Sequence, residues 1–193
     1  IEQLLHFNIV PNFVLQPSCG GLDTNAQINA GLAHLGFAED GFFGDAALSM
    51  NCSSAAAQAH TSIKNIGVDI KMRALLSLYK SPLHVVVRSK LGLHDLQEIP
   101  PGTKVYLGGD GSSTHFVGKL IAEHFNLNID RKGHTLDFEQ AAQALINGEF
   151  DIAFFLAGLH TEGLKSLLHQ NSEFQLLPIA NTASLKTRFP YLE

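Results

Sequence analysis

Residues 104–123 read KVYLGGDGSSTHFVGKLIAE, and this stretch decides the fold. Lys104 to Leu107 alternates polar and apolar residues before a glycine pair, the pattern of a short strand. Gly108, Gly109, Asp110 and Gly111 supply a turn whose backbone can come close to a guest. Ser112, Ser113 and Thr114 are good helix-capping residues. Behind them Phe116, Val117, Leu120 and Ile121 recur at helical spacing. The order is strand, glycine turn, hydroxyl cluster, helix. Free amides at such a helix start, backed by the positive end of the macrodipole, attract a carboxylate or phosphate. The same residues also serve a plain capped turn.

Two nucleotide motifs fit poorly. A phosphate-binding P-loop needs Gly-Lys-Ser/Thr, and Lys119 comes a full turn too late. The dinucleotide fingerprint wants a third glycine or alanine where Thr114 stands, although Asp130 lies at the distance of a ribose-binding acid.

Outward from this stretch the chain alternates helix and strand. Upstream, SCGGLDT (residues 18–24) is a second glycine turn. It leads into a helix from about Asp23 to Ala30 closed by Gly31, then a short buried strand from Leu35 to Ala38. Downstream, Asp137 caps a helix through Asn147, Gly148 closes it, and Phe150 to Leu156 is an apolar strand. The unit of helix, glycine and strand thus occurs twice, with Gly31 matching Gly148, Leu35 matching Ile152 and Phe37 matching Phe154. Leu83 to Val87 is a valine-rich strand fit for burial on both faces of a parallel sheet. A weaker strand signal covers Arg131 to Leu136, a helix follows from about Thr161 to His169, and a last strand runs from Phe174 to Ile179. A helix tail over Ile1 to Phe7, a strand at Phe13 to Leu15 and a helix around Ala55 to His60 complete the reading. Residues 83–179 form a self-contained open α/β lobe, and residues 1–82 with 180–193 form a second, incomplete one.

Composition narrows the function classes. With 193 residues and 45% hydrophobic content the chain can bury a core without disulfide or metal support. Its net charge of −5 and scattered Lys and Arg argue against a nucleic-acid partner. No apolar run is long enough for a membrane helix. Cys19 and Cys52 read either as a free pair or as a disulfide in an oxidising compartment. The ten histidines show no metal-ligand spacing, and no cofactor or metal site is expected. Arg73 and Arg88 could pair a ligand carboxylate or simply face solvent. His115 and His160 flank candidate turns, and Asp110 reads as a turn residue.

The stretch RALLSLYKSPLHVVVRSKLGLHDLQEIPPGTKVYLGGDGSST (73–114), the run EQAAQALINGEFDIAFFLAG (139–158) and the ending RFPYLE together resemble the TAXI-type solute-binding proteins of TRAP transporters. These are type 2 periplasmic binding proteins. The ending is most similar to a membrane-anchored branch. The resemblance implies a two-lobed receptor, truncated at both ends in this chain, that closes on a small organic anion such as an amino acid or other carboxylate. It implies a periplasmic or otherwise extracytoplasmic location, with or without an anchor outside this chain, and a TRAP-type membrane transporter as partner. Ligand-binding positions carried over from it are Gly20 and Gly21 in the first turn, Thr24 or Asn25, Glu39 and Tyr79. Gly111, Ser112, Ser113 and Thr114 follow in the second turn, with Ala157 and Gly158 at a strand end. Glu39 stands where the family usually has Gln, and Ser113 replaces a glycine. An acid near an anion pocket lowers affinity unless a cation or proton offsets it. The implied activity is binding, not catalysis. The alternatives are a ligand-sensing domain of a membrane-anchored protein, and an enzyme on the same fold using His115 or His160 as a base.

Overall fold

The computed structural model describes residues 14–15, 18, 20–39, 72–159, 161–169 and 173–189. The helices expected at Ile1–Phe7 and Ala55–His60, both cysteines and His160 lie outside the described residues. Among those described, helix α1 (Gly21–Asn29) precedes strand β1 (Leu83–Arg88), strand β2 (Val105–Tyr106) and helix α2 (Ser113–His124). Helix α3 (Phe138–Asn147), strand β3 (Ile152–Leu156), helix α4 (Glu162–His169), strand β4 (Phe174–Leu176) and helix α5 (Ala183–Arg188) follow. The fold is mixed α/β.

The four strands form one sheet in the order β2-β3-β1-β4. β1 lies antiparallel to both β3 and β4, with Val85 opposite Phe154 and Val87 opposite Gln175, while β2 runs parallel to β3. The valine-rich strand is thus buried on both faces, as expected, but in a mixed sheet rather than a parallel one. Burial follows the two-residue period of a strand. Val85, Val87, Ile152, Phe154, Val105 and Leu107 enter one core with Val117, Ile121, Leu22 and Leu185. Val86, Ala153, Phe155 and Tyr106 enter the other with Ala141, Leu145, Leu164 and Leu167. The sheet is therefore a middle layer, with α1, α2 and α5 contributing to one face and α3 and α4 to the other.

The helices start and stop where local chemistry dictates. The Asp137 side chain accepts from the Gln140 amide at 2.9 Å, and the Gln140 side chain accepts from the Asp137 amide at 3.0 Å, a complete capping box for α3. Gly148 ends α3 with a φ of 83°. At that end Arg88 donates from Nη2 to the carbonyls of Leu145 and Ile146, two of the acceptors that a helix C-terminus leaves open. Its guanidinium also lies 5.2 Å from the Phe174 ring centre. Arg88 neither awaits a ligand nor merely faces solvent, because a structural cap occupies it.

Three expectations do not hold. Leu35–Ala38 is irregular and exposed, with Leu35 at 60% and Phe37 at 66%, since no neighbouring strand pairs with it among the described residues. The proposed repeat therefore extends through the helix and its glycine (Gly31 has a φ of 73°) but not through the strand. Val14 and Leu15 are exposed and irregular. Near Arg131–Leu136 only a single bridge forms, between Gly109 and His134, while α5 arises in a stretch without a marked sequence signal.

Candidate functional site

The two glycine turns meet. Gly20 precedes α1 with a φ of 131°, and a Cβ there would stand 3.0 Å from the Cα of Ser112. Only glycine permits both that backbone conformation and that approach. The starts of α1 and α2 are consequently neighbours. Gly21 is equally confined, because a Cβ on it would lie 2.0 Å from Glu39 Oε2 and 2.9 Å from Ser113 Oγ. Ser113 Oγ donates to that same Glu39 oxygen. The carboxylate of Glu39 thus sits at the paired helix starts, in the field that a helix N-terminus directs toward an anion. The irregular segment carrying Glu39, rather than the strand expected there, brings it to this point.

The three hydroxyls of the second turn have separate tasks. Ser112 is the cap of α2, its Oγ accepting from the His115 amide at 3.1 Å. Ser113, buried to 3% exposure, holds Glu39. Thr114 Oγ1 accepts from the amide of Leu156 at 3.2 Å, tying the start of α2 to the end of β3. At α1 the N-cap residue is Gly20, which has no side chain to bond the first amides. Asp23 lies in that first turn and accepts from Gln27 Nε2 at 2.9 Å.

Asn25 is 1% exposed, and its Nδ2 has no hydrogen-bond partner. It lies one helical turn beyond Gly21 on the same face, and side chains on a helix lean back toward its N-terminus. A buried donor left unpaired is rare in native proteins. Thr24 faces elsewhere, its hydroxyl donating to Ser18 Oγ at 2.9 Å and its methyl lying against Gly36. Of the two residues that shared one expectation, Thr24 is engaged with Ser18 and Gly36, while Asn25 is buried.

The remaining positions form a second group joined to the first through Thr114. Ala157 donates from its amide to the Pro82 carbonyl at 3.2 Å, one residue beyond the strand that Thr114 grips. The Gly158 carbonyl accepts from Thr161 Oγ1 at 2.9 Å. A Cβ on Gly158 would lie 3.5 Å from the Tyr79 ring, and Tyr79 itself is 74% exposed. The turn is supported from below by Gly108 and Gly118, which lie against the His115 amide and the Leu107 carbonyl respectively. Such close contacts are visible in sequence only as glycines.

His115 is part-buried rather than an exposed loop residue. Its Nε2 lies 3.1 Å from the Arg131 carbonyl, so that nitrogen carries the proton and donates. Its Nδ1 lies 3.8 Å from Asp110 Oδ1. Asp110 belongs to the turn, its amide donating to the His134 carbonyl at 2.8 Å. Arg73 donates to the neighbouring Met72 carbonyl at 2.7 Å. Tyr106 donates its hydroxyl to the Leu136 carbonyl at 3.0 Å, and burial, helped by the nearby Asp137 charge, pushes its phenol well above the ordinary tyrosine range.

The profile of the NMT1-like family matches residues 26–193, and the chain belongs to that family. It is a family of binding proteins of the periplasmic solute-binding type. No curated protein shows a significant match to the chain. Among the described residues no helix is long and apolar enough to cross a membrane.

Proposed function

We propose that the chain is the solute-binding receptor of a TRAP-type transport system, of the TAXI kind, and that it binds a small organic anion outside the cytoplasm. The ligand lies between a lobe made of residues 1–82 with 180–193 and a lobe made of residues 83–179. It is held at the paired turns, with Gly20, Gly21, Asn25, Glu39 and Gly111 to Thr114 around it and Tyr79, Ala157 and Gly158 at its edge. The observation that carries the reading is the convergence of two helix starts through the contact of Gly20 with Ser112. Two neighbouring helix starts supply the macrodipole ends and backbone amides that a carboxylate needs. Family membership of the solute-binding type supports the same reading. The similarity of residues 188–193 to a membrane-anchored branch favours one variant, in which the same receptor reports its solute to an attached output instead of a transporter.

The test is thermal denaturation and calorimetric titration of the chain against acetate, succinate, glutarate, their α-amino counterparts and phosphate. A ligand at a hundred times its Kd stabilises by about 2.7 kcal/mol, a Tm rise of about 5–10 °C for a chain of this size. Ser113→Pro removes one amide and one hydroxyl from the site. Proline suits the first helical position, and Ser112 already has the extended backbone that a following proline requires (ψ 152°). This variant should keep its unliganded Tm within a few degrees and lose the ligand-induced rise. A chain whose Tm no panel member moves, or a Ser113→Pro variant that binds normally, refutes the proposal.

A further inference from the structure

We infer that the cavity between the start of β1 and the chain leaving β4 is a second binding site, which takes a small neutral, largely apolar molecule carrying a hydroxyl group. The inference goes beyond the carboxylate site at the paired turns and does not depend on it.

The cavity exists because a strand ladder stops. β4 pairs with β1 through Val86 opposite Leu176, Val87 opposite Gln175 and Arg88 opposite Phe174. The Leu177 amide adds one more bond, to the Val85 carbonyl at 2.8 Å. Pro178 follows, its φ fixed by the ring, and beyond it no backbone bond joins Ile179 to Leu83 among the described residues. β1 nevertheless stays in register with β3 back to Leu83, opposite Leu156. The space left between the parted segments has a volume of about 360 Å³ and is lined by residues 83–85 and 176–179. Leu176 is 49% exposed, so the cavity meets solvent on that side. It lies on the β4 side of β1, whereas the second turn is tied by Thr114 to β3 on the other side.

The lining states what would fit. Apart from His84 it consists of Leu, Val, Ile and Pro, with no Lys, Arg, Asp or Glu. A charged guest would lose its water and gain no partner of opposite sign, so the cavity favours a neutral one. His84 is 9% exposed, and its Nδ1 lies 3.3 Å from the carbonyl of Phe155, the residue opposite it on β3. A carbonyl only accepts, so Nδ1 carries the proton and donates, and the neutral ring keeps Nε2 as an acceptor. That nitrogen has no hydrogen-bond partner among the described residues. It is not sealed off either, because among the described residues only Asn25 Nδ2 is both unpartnered and inaccessible. A hydrocarbon would cover the aliphatic walls and deprive the ring nitrogen of water without replacing it. Water would meet the nitrogen and leave the walls wet. An alcohol or phenol answers both, its O–H donating to Nε2 and its carbon frame lying on the walls.

The experiment titrates two matched pairs, phenol with toluene and cyclohexanol with methylcyclohexane, by ligand-observed NMR. It uses the wild-type chain, His84→Phe and Leu176→Trp. His84→Phe keeps a ring and removes the acceptor. Leu176→Trp fills the cavity from a half-exposed position, where folding tolerates the change. The wild type should bind the hydroxyl member of at least one pair about fivefold or more tighter than its hydrocarbon match, the worth of one hydrogen bond. His84→Phe should bind both members of that pair alike, and Leu176→Trp should bind neither. A wild type that binds no probe, or binds the hydrocarbons as well as the hydroxyl compounds, overturns the inference. So does a hydroxyl preference that survives in His84→Phe. Should that variant fail to fold, Leu176→Trp decides: hydroxyl binding retained with the cavity filled places the probe elsewhere and overturns the inference, and binding lost supports it.

Discussion

Replacing Gly108 by alanine tests whether the turn under the site is held by backbone contact. The φ of Gly108 is 122°, and a Cβ there would stand 2.3 Å from the His115 nitrogen and 2.8 Å from both His115 Cα and the Thr114 carbonyl carbon. All three atoms are backbone of the first turn of α2, so no side chain can swing aside. The conformational strain is worth about 1–3 kcal/mol, and forcing a methyl into a packed site adds about 1–3 kcal/mol. A total of about 2–6 kcal/mol is a large part of the 5–15 kcal/mol typical of a folded domain. Gly102→Ala is the control, because Gly102 has a φ of 83° with nothing within 4 Å of its Cβ position. It bears the backbone strain alone. The chain contains no tryptophan, so urea unfolding is followed by far-ultraviolet circular dichroism. Gly108→Ala should lower stability by at least about 2 kcal/mol more than Gly102→Ala, or abolish folding, which reports the same ordering. Equal losses in the two variants would refute the steric argument and with it the claim that α2 is seated directly on the turn.

Two further outcomes follow from contacts away from the site. Arg88→Ala should lower stability by about 1.5–3 kcal/mol, the range for hydrogen bonds to a charged group, with solute affinity within twofold of wild type by calorimetry; a selective loss of affinity would return Arg88 to the ligand. Tyr106 ionises with more difficulty folded than unfolded, so its contribution is fully present below the unfolded tyrosine pKa of about 10 and declines as pH rises above it. Urea midpoints at pH 8 and 10.5 should fall less in Tyr106→Phe than in wild type, even though the variant starts about 0.5–1.5 kcal/mol lower for its lost hydrogen bond; parallel declines would contradict the assignment.

What could be read from the sequence was what neighbouring residues decide among themselves. Asp137 with Gln140 marks the start of α3, Gly148 marks its end, and Ser112 caps α2 as its position in the glycine turn implies. Strand direction was a different matter. Three consecutive valines report burial on both faces, and a central strand of a mixed sheet is buried just as a parallel one is. Leu35 and Phe37 look like strand residues by composition, yet strand propensity has little force without a partner to pack against. Arg88 could not be assigned because its acceptors, Leu145 and Ile146, lie nearly sixty residues away in the chain. Among the site residues, the glycine turns were evident, but the division of labour among Ser112, Ser113 and Thr114 was not. It depends on which distant group each hydroxyl meets: Glu39 for Ser113 and Leu156 for Thr114.

That division makes the second turn a junction and not only a cradle. Ser113 fixes Glu39 from the first half of the chain. Thr114, the next residue, fixes the last residue of β3. One residue beyond β3, Ala157 bonds to Pro82, the residue before β1, and Gly158 lies against the ring of Tyr79. Consecutive residues at the start of α2 therefore hold both Glu39 and the end of β3. Contiguity alone is not coupling. It does restrict how the site can change. A shift of the α2 start must break the Ser113 bond to Glu39 or carry Glu39 with it, and must stretch the Thr114 bond to Leu156 or move β3, whose neighbours β1 and β2 hold it in register. The second turn is thus held from both sides, by Glu39 through Ser113 and by the end of β3 through Thr114.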